Sequence, residues 1–200
     1  MESIEIKTLI SLMSKIPGLG PRSARRAILT LLQNPEKKLI PLAEQMLLTA
    51  KKIKLCNICG NIDVHDPCLI CKDDKREIKT ICIVEEISDL WAIERAGTYK
   101  GRYHVLGGVL SAIDGITAED LKVNKLLEVI KKNEVDEVIL ATSVTVAGQT
   151  TSYYISDLLK EEKVKVTRLA QGIPMGGELD YLDEGTIGAA LSLRQPVQEN

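Results

Sequence analysis

Leu55-Cys56-Asn57-Ile58-Cys59-Gly60, followed by Pro67-Cys68-Leu69-Ile70-Cys71-Lys72, is the stretch that divides this chain into two unlike parts. Two Cys-x-x-Cys knuckles stand eight residues apart, close enough to fold onto each other as one four-thiolate site. A tetrahedral zinc ion takes four soft ligands at about 2.3 Å, and tandem knuckles supply them. Disulfides or two unrelated cysteine pairs are the alternatives. Paired knuckle spacing in a chain without a secretion signal argues against both. The expected ligands are Cys56, Cys59, Cys68 and Cys71, one zinc per chain. Four thiolates leave no open coordination position, so the metal is expected to be structural, stabilising a short loop with almost no core of its own.

The 200 residues can hold one large domain or two to three small ones. Hydrophobic content of 44% and charged content of 27% are ordinary for a globular protein. Aromatic residues are only 3%, with no Phe, which argues against base stacking as the main binding device. Lys7, Lys15 and Arg22 interrupt the N-terminal apolar residues. Neither a signal peptide nor a membrane span is expected, and the cytoplasm is the expected location. Cys82 lies in an apolar run and reads as a buried small hydrophobe.

The net charge of -2 hides an asymmetry. Residues 1–55 carry ten Lys/Arg and four Asp/Glu, a balance of +6, while the remainder balances at -8. A basic front suggests a polyanion partner. Within it, Ile6, Leu9, Ile10, Leu12, Met13 and Ile16 repeat at helical spacing over Ile4 to Ile16. The breaker cluster Ile16-Pro17-Gly18-Leu19-Gly20-Pro21 follows, then a second helical run, Arg22 to Leu32. Pro21 suits a first helical turn, where its missing N–H is no loss. This pattern resembles the helix-hairpin-helix DNA-binding motif. Glycines admit a phosphate to the backbone, and free N–H groups at the second helix's start point at it. Pro17, Gly18, Gly20, Arg22, Arg25 and Arg26 are the expected DNA contacts, the arginines by charge-assisted bonds that carry no sequence information. Arginines here oppose the helix dipole, a small cost that hints at function. A third helix is expected over Glu36 to Lys54, with Pro41 near its first turn.

After Cys71 the pattern alternates. Strands are expected at Ile81–Val84, Tyr103–Leu106, Glu137–Thr142 and Val164–Leu169. Helices are expected at Ile87–Ala96 (stopped by Gly97), Leu121–Lys132 and Thr150–Glu161, with a last one over Glu184–Leu193 and a loose tail from Gln195. Apolar strands separated by helices argue a mainly parallel sheet covered on both faces. The working loops of such a sheet lie at the strands' carboxyl ends. These are Glu85-Glu86, Gly107-Gly108, Thr142 to Gly148, and Gln171 to Gly177. Gly172 to Gly177 lacks the Gly-Lys-Ser/Thr ending of a phosphate loop and reads as a turn serving a subunit contact.

A first strand ending in Glu and a later strand ending in a polar loop resemble the Toprim fold. Active Toprim members hold Mg²⁺ with that Glu and a later Asp-x-Asp pair, because a hard ion needs several oxygen ligands. Glu85 fits the first role. Thr142-Ser143-Val144-Thr145-Val146-Ala147-Gly148-Gln149 contains no carboxylate, so catalysis is not expected.

The whole order resembles the RecR family of bacterial recombination mediators, nearly end to end. The resemblance rests on Ile16 to Arg26, the two knuckles, and Val84-Glu85-Glu86 with Ala92-Ile93-Glu94-Arg95. It rests also on Gly101 to Gly108 with Asp114-Gly115-Ile116, and on Val166 to Ala170 with Gly172 to Tyr181. It implies an α/β fold with an all-α N-terminal region: a helix-hairpin-helix at 1–55, a four-cysteine zinc finger at 56–78, a Rossmann-like Toprim domain at 79–174, and a C-terminal loop, helix and tail at 175–200. It further implies a non-enzymatic DNA-repair mediator that forms dimers or tetrameric rings around DNA. Such a protein works with RecO, and in some bacteria RecF, to load RecA on gapped single-stranded DNA. Arg22 and Arg26 match the family's basic positions, and Arg25 is an addition. Ser143, Ala147 and Gln149 stand where the family carries Asn and two acids of its RecO-facing surface. That departure leaves Glu85 and Glu86 as the implied acidic contacts to a RecO-like partner. Two other readings stand beside this one: a Mg²⁺-dependent Toprim nuclease or primase acting at Glu85, and a zinc-ribbon adaptor that binds only protein.

Overall fold

Ile81, Cys82, Ile83 and Val84 are all buried, because their strand is covered on both faces and flanked on both edges. The computed structural model describes residues 3–196 and divides into two compact units between Lys54 and Leu55. The first is helical. Helix α1 (Ile4–Met13) is capped by Ser3, whose hydroxyl accepts the Ile6 N–H, and it meets α2 (Pro21–Leu32). Helix α1 ends three residues before the expected Ile16, in the turn that leads to Pro17. The expected third helix is divided. Pro35–Leu39 winds as a π-helical segment, with the Ile40 N–H bonded to the Pro35 carbonyl, before α3 (Ile40–Lys52). Prolines 35 and 41 bracket this segment and lack the N–H groups that would fill a regular ladder.

Strand β1 (Lys54–Leu55) straddles the boundary and pairs with β2 (Ile62–Asp63), which is followed by the short helix α4 (Leu69–Lys72). The main sheet contains β3 (Glu77–Val84), β4 (Gly101–Val105), β5 (Glu137–Ala141) and β6 (Lys165–Arg168), ordered β4-β3-β5-β6 and parallel throughout. Three helices make the crossovers: α5 (Ile87–Ala96), α6 (Val123–Asn133) and α7 (Val146–Leu158). The period-2 pleat sends alternate residues of β3 to opposite faces. Ile81 and Ile83 join Leu126 and Ile130 of α6 and Ile155 of α7, while Cys82 and Val84 join Leu90 of α5. Each fully buried aliphatic side chain contributes about 1.5–3 kcal/mol. Burial pushes the Cys82 thiol up to about 12, which leaves it an inert core group.

Strand β3 begins four residues before the expected Ile81. Helix α7 begins four residues before the expected Thr150, so much of the segment read as a loop after β5 is the helix's first turn. Gly97, in the left-handed region at φ +71°, ends α5 as expected. Helix α6 runs through Asn133 and stops at Glu134, itself left-handed. Helix α8 (Glu184–Ser192) follows a 3-10 turn at Leu179–Tyr181. Residues 197–200 of the expected loose tail lie outside the described residues.

His104 on β4 is 1% exposed, and its Nε2 bonds the Lys122 carbonyl at 2.9 Å. Burial lowers its pKa to about 4, below the unfolded value near 6.5. The unfolded chain therefore binds a proton first as pH falls, and stability drops between pH 6.5 and 4. We expect urea denaturation to show a His104→Gln protein losing on the order of 1–2 kcal/mol less than the parent between pH 7 and pH 5.

Candidate nucleic-acid interface and metal centre

Gly18 occupies the left-handed region at φ +82°, and a Cβ built on Gly18 or Gly20 would meet nothing within 4 Å. The backbone between α1 and α2 is thus open to solvent and to a ligand's close approach. Leu19 N–H bonds the Ile16 carbonyl at 3.0 Å, closing the turn. Gly20 is the N-cap of α2, without a side-chain acceptor, and Pro21 opens the helix. The first intrahelical bond is Ala24 N–H to the Gly20 carbonyl at 2.9 Å. The N–H groups of Arg22 and Ser23 precede it and find no partner inside the helix. There is no acid in that first turn. Ala24 and Ile28 turn inward and are buried, while Arg22, Arg25 and Arg26 are exposed. Uncapped N–H groups, bare glycine backbone and three guanidinium groups together suit a phosphate.

The four knuckle cysteines are brought together by two tight turns. Cys56 N–H bonds the Asn61 carbonyl at 2.7 Å, and Gly60 N–H returns to the Cys56 carbonyl at 3.0 Å. The second turn is α4, with Cys68 as its N-cap and Cys71 within it. All four sulfurs lie within 4.8 Å of one another, and Cys59 and Cys68 Sγ are 3.5 Å apart. A zinc ion with bonds of about 2.3 Å sets tetrahedral S···S separations near 3.8 Å, so the residues fit the metal. Backbone N–H groups of Ile58, Asn61 and Cys68 point at cysteine sulfurs from 3.4–3.5 Å, as suits thiolates. Among the described residues this is the one cluster of three or more potential metal ligands.

Glu85 and Glu86, adjacent in sequence, serve different local ends. Glu85 Oε1 accepts the Ser143 N–H at 2.6 Å, tying the end of β3 to the turn after β5. Glu86 is the N-cap of α5, and its N–H bonds the Asp89 carboxylate at 2.9 Å. Thr145 caps α7 by accepting the Gly148 N–H at 3.1 Å. Gly148 is required by space, since a Cβ there would stand 2.3 Å from the Ser143 carbonyl and 2.8 Å from Glu85 Oε1. The turn at 172–177 closes through Gly177 N–H to the Pro174 carbonyl at 2.9 Å, with Gly176 left-handed at φ +79°. A groove of about 620 Å³ lies between α7 and β6, floored by Leu140 and Val166 and edged by Thr142, Ser152 and Arg168. Its lining comes from β5, α7 and β6 and the segments that follow the two strands, so no local spacing in the sequence marks it. Among the described residues no helix is long and apolar enough to cross a membrane.

Family models match the chain in four consecutive stretches. They are the RecR helix-hairpin-helix at 6–50, the RecR four-cysteine zinc finger domain at 53–73, the Toprim domain at 79–170 and the RecR C-terminal region at 172–195. The chain is 55% identical over 192 residues to the Recombination protein RecR of Parvibaculum lavamentivorans, covering 96% of each. It is 55% identical over 190 residues to that of Brucella anthropi, covering 95% of this chain and 94% of the other. The counterpart in Maricaulis maris is 54% identical over 193 residues, 96% of each. The zinc-finger match and the sulfur geometry together establish a structural zinc as the cofactor.

Cys56→Ser should drop zinc, measured by mass spectrometry, from one per chain to well below one. It should also lower stability by on the order of 3 kcal/mol or more, a fall in Tm of roughly 6–12 °C. Full zinc content and unchanged melting would remove Cys56 from the ligand set.

Proposed function

The chain belongs to the RecR family, and from that premise we propose that it is a non-enzymatic recombination mediator that grips DNA without reading its sequence. A role in recombination repair, with DNA binding, follows from the family itself. The observation that carries the finer reading is the start of α2: uncapped N–H groups beside Gly18 and Gly20, with Arg22, Arg25 and Arg26 in the first turns. Contacts of this kind neutralise phosphates and are indifferent to base identity. Pro17 belongs to the same proposed contact set, and Pro21 opens the helix behind it.

In this reading residues 1–55 bind DNA, and 56–78 form a zinc finger held by Cys56, Cys59, Cys68 and Cys71. Residues 79–174 form the Toprim domain, and 175–200 meet another subunit. Self-association as a dimer or tetramer is supported by uncovered apolar surface. No residue of α3 is buried, although Met46, Leu47 and Leu48 are each more than half exposed. The same holds for the C-terminal segment, where Leu179, Tyr181 and Leu191 are exposed and α8 buries nothing. A ring or clamp of such subunits would surround DNA. With a RecO-like partner at Glu85 and Glu86, and with RecF in some settings, it would promote RecA loading on gapped single-stranded DNA. The bond from Ser143 N–H to Glu85, and the lack of carboxylates from Thr142 to Gln149, favour this over Mg²⁺-dependent cleavage.

The test is affinity against salt. Arg22→Ala with Arg26→Ala should weaken binding by a similar factor on unrelated sequences. It should also reduce the slope of log K against log salt by about 2, one per lost phosphate contact. Unchanged affinity and slope would remove the hairpin from the interface. Metal-dependent turnover of labelled DNA that disappears in Glu85→Gln would replace the mediator with an enzyme.

A further inference from the structure

The carbonyls of Ile70, Cys71 and Asp73 end α4, a helix of four residues that carries or flanks two zinc ligands. A helix this short has no carbonyl-to-N–H ladder to spare, and its last carbonyls need outside donors. All three point at one side chain. Arg102 on β4 donates from one terminal nitrogen to the Ile70 carbonyl at 3.2 Å and to the Cys71 carbonyl, and from the other to the Asp73 carbonyl at 3.1 Å. A cation at a helix C-terminus also complements the dipole. Three residues further along the same strand, the Val105 N–H bonds the Cys59 carbonyl at 2.8 Å. Strand β4 therefore holds the second knuckle by a side chain and the first by its backbone. A third tie comes from α5, where Trp91 Nε1 donates to Asn61 Oδ1 at 3.1 Å.

We propose that Arg102 is a positioning residue for the zinc site: its guanidinium fixes α4 so that Cys68 and Cys71 face Cys56 and Cys59, and it thereby sets how fast the metal is lost. This rests on zinc occupying the four-cysteine site. Groups outside the ligand set that orient metal ligands typically change metal affinity about 10–100-fold when removed. Lysine cannot replace this arginine fully, because one ammonium lacks the planar fork that spans three carbonyls. Trp91, the chain's only tryptophan, bonds Asn61 two residues beyond the first knuckle and gives the protein an internal reporter beside the site.

Zinc content of the parent protein is measured first; its absence would undo the zinc reading itself, before Arg102 is tested. Zinc release is then driven with excess EDTA and followed by a metallochromic dye and by Trp91 emission. Arg102→Ala is expected to release zinc about 10–100-fold faster than the parent, with Arg102→Lys in between. Leu126→Ala, which opens a cavity in the α6 side of the core, is expected to melt lower yet release zinc at the parental rate. If Arg102→Ala fails to fold, Arg102→Lys decides. Parental release from the arginine variants, or equal acceleration in Leu126→Ala, would overturn the assignment.

Discussion

The outer edge of β4 is the constraint on which the second unit depends. A parallel sheet ordered β4-β3-β5-β6 leaves two edges, and an uncovered edge is a row of unsatisfied backbone groups. On the β4 side the zinc ribbon supplies the missing partner, through Cys59 O to Val105 N–H, and Gly60 lies close enough that a Cβ would stand 3.3 Å from Val105 Cβ. The metal thus does more than close a loop. By fixing the Cys56–Gly60 turn it presents a carbonyl to the sheet at the right place. The sheet in turn presents Arg102 to the other turn. Ribbon and sheet complete each other's hydrogen bonding. Arg76 adds to the join, bonding Glu94 at 2.5 Å and 2.9 Å while Tyr103 donates to the same carboxylate at 2.7 Å.

The first unit poses the opposite problem. Among its described residues only Ala24 and Ile28 are buried, and a helical piece of this size rarely buries enough apolar surface to be stable by itself. Five large apolar residues of α3, Ile40, Leu42, Met46, Leu47 and Leu48, are exposed along one helix and leave apolar faces uncovered. Covering such faces releases about 25 cal/mol per Å². The same argument applies to the segment from Leu169 to Pro196, which contains no buried residue. In the proposed assembly of several copies, both surfaces would be covered between subunits.

Much of this was legible because it is local. Knuckle spacing, the Pro-Gly hairpin, apolar strand runs and the Gly97 stop each depend on neighbours within a few residues, and the structure keeps them. The segment after β5 was harder. Thr145 starts α7 with its hydroxyl on Gly148 N–H, but Gly148 and the β-branched Val146 are weak helix formers, so propensity places the start too late. The π-helical turn before α3 arises from two prolines acting together, which one-residue rules do not capture. What could not be read were the long-range pairs: Arg102 with Ile70, Trp91 with Asn61, His104 with Lys122. Their partners lie 32, 30 and 18 residues away, and nothing in local spacing announces them.

Glu85 illustrates how one missing charge redirects a site. In a metal-binding Toprim centre the first-strand carboxylate needs others nearby, because one oxygen donor cannot offset the cost of stripping water from Mg²⁺. Here the facing segment offers Val146, Ala147, Gly148 and Gln149. The carboxylate instead takes the Ser143 N–H and lies beside the start of α7, where the helix's positive end favours an acid. Gly148 keeps the approach possible, since any side chain would collide with both Ser143 and Glu85. A metal drawn to Glu85 would have to compete with that bond and find no second acid across the turn. The same geometry that weakens a metal site makes a rigid one. Glu85, anchored to the turn after β5 and followed directly by the α5 cap at Glu86, holds its carboxylate in a frame set by two neighbouring turns.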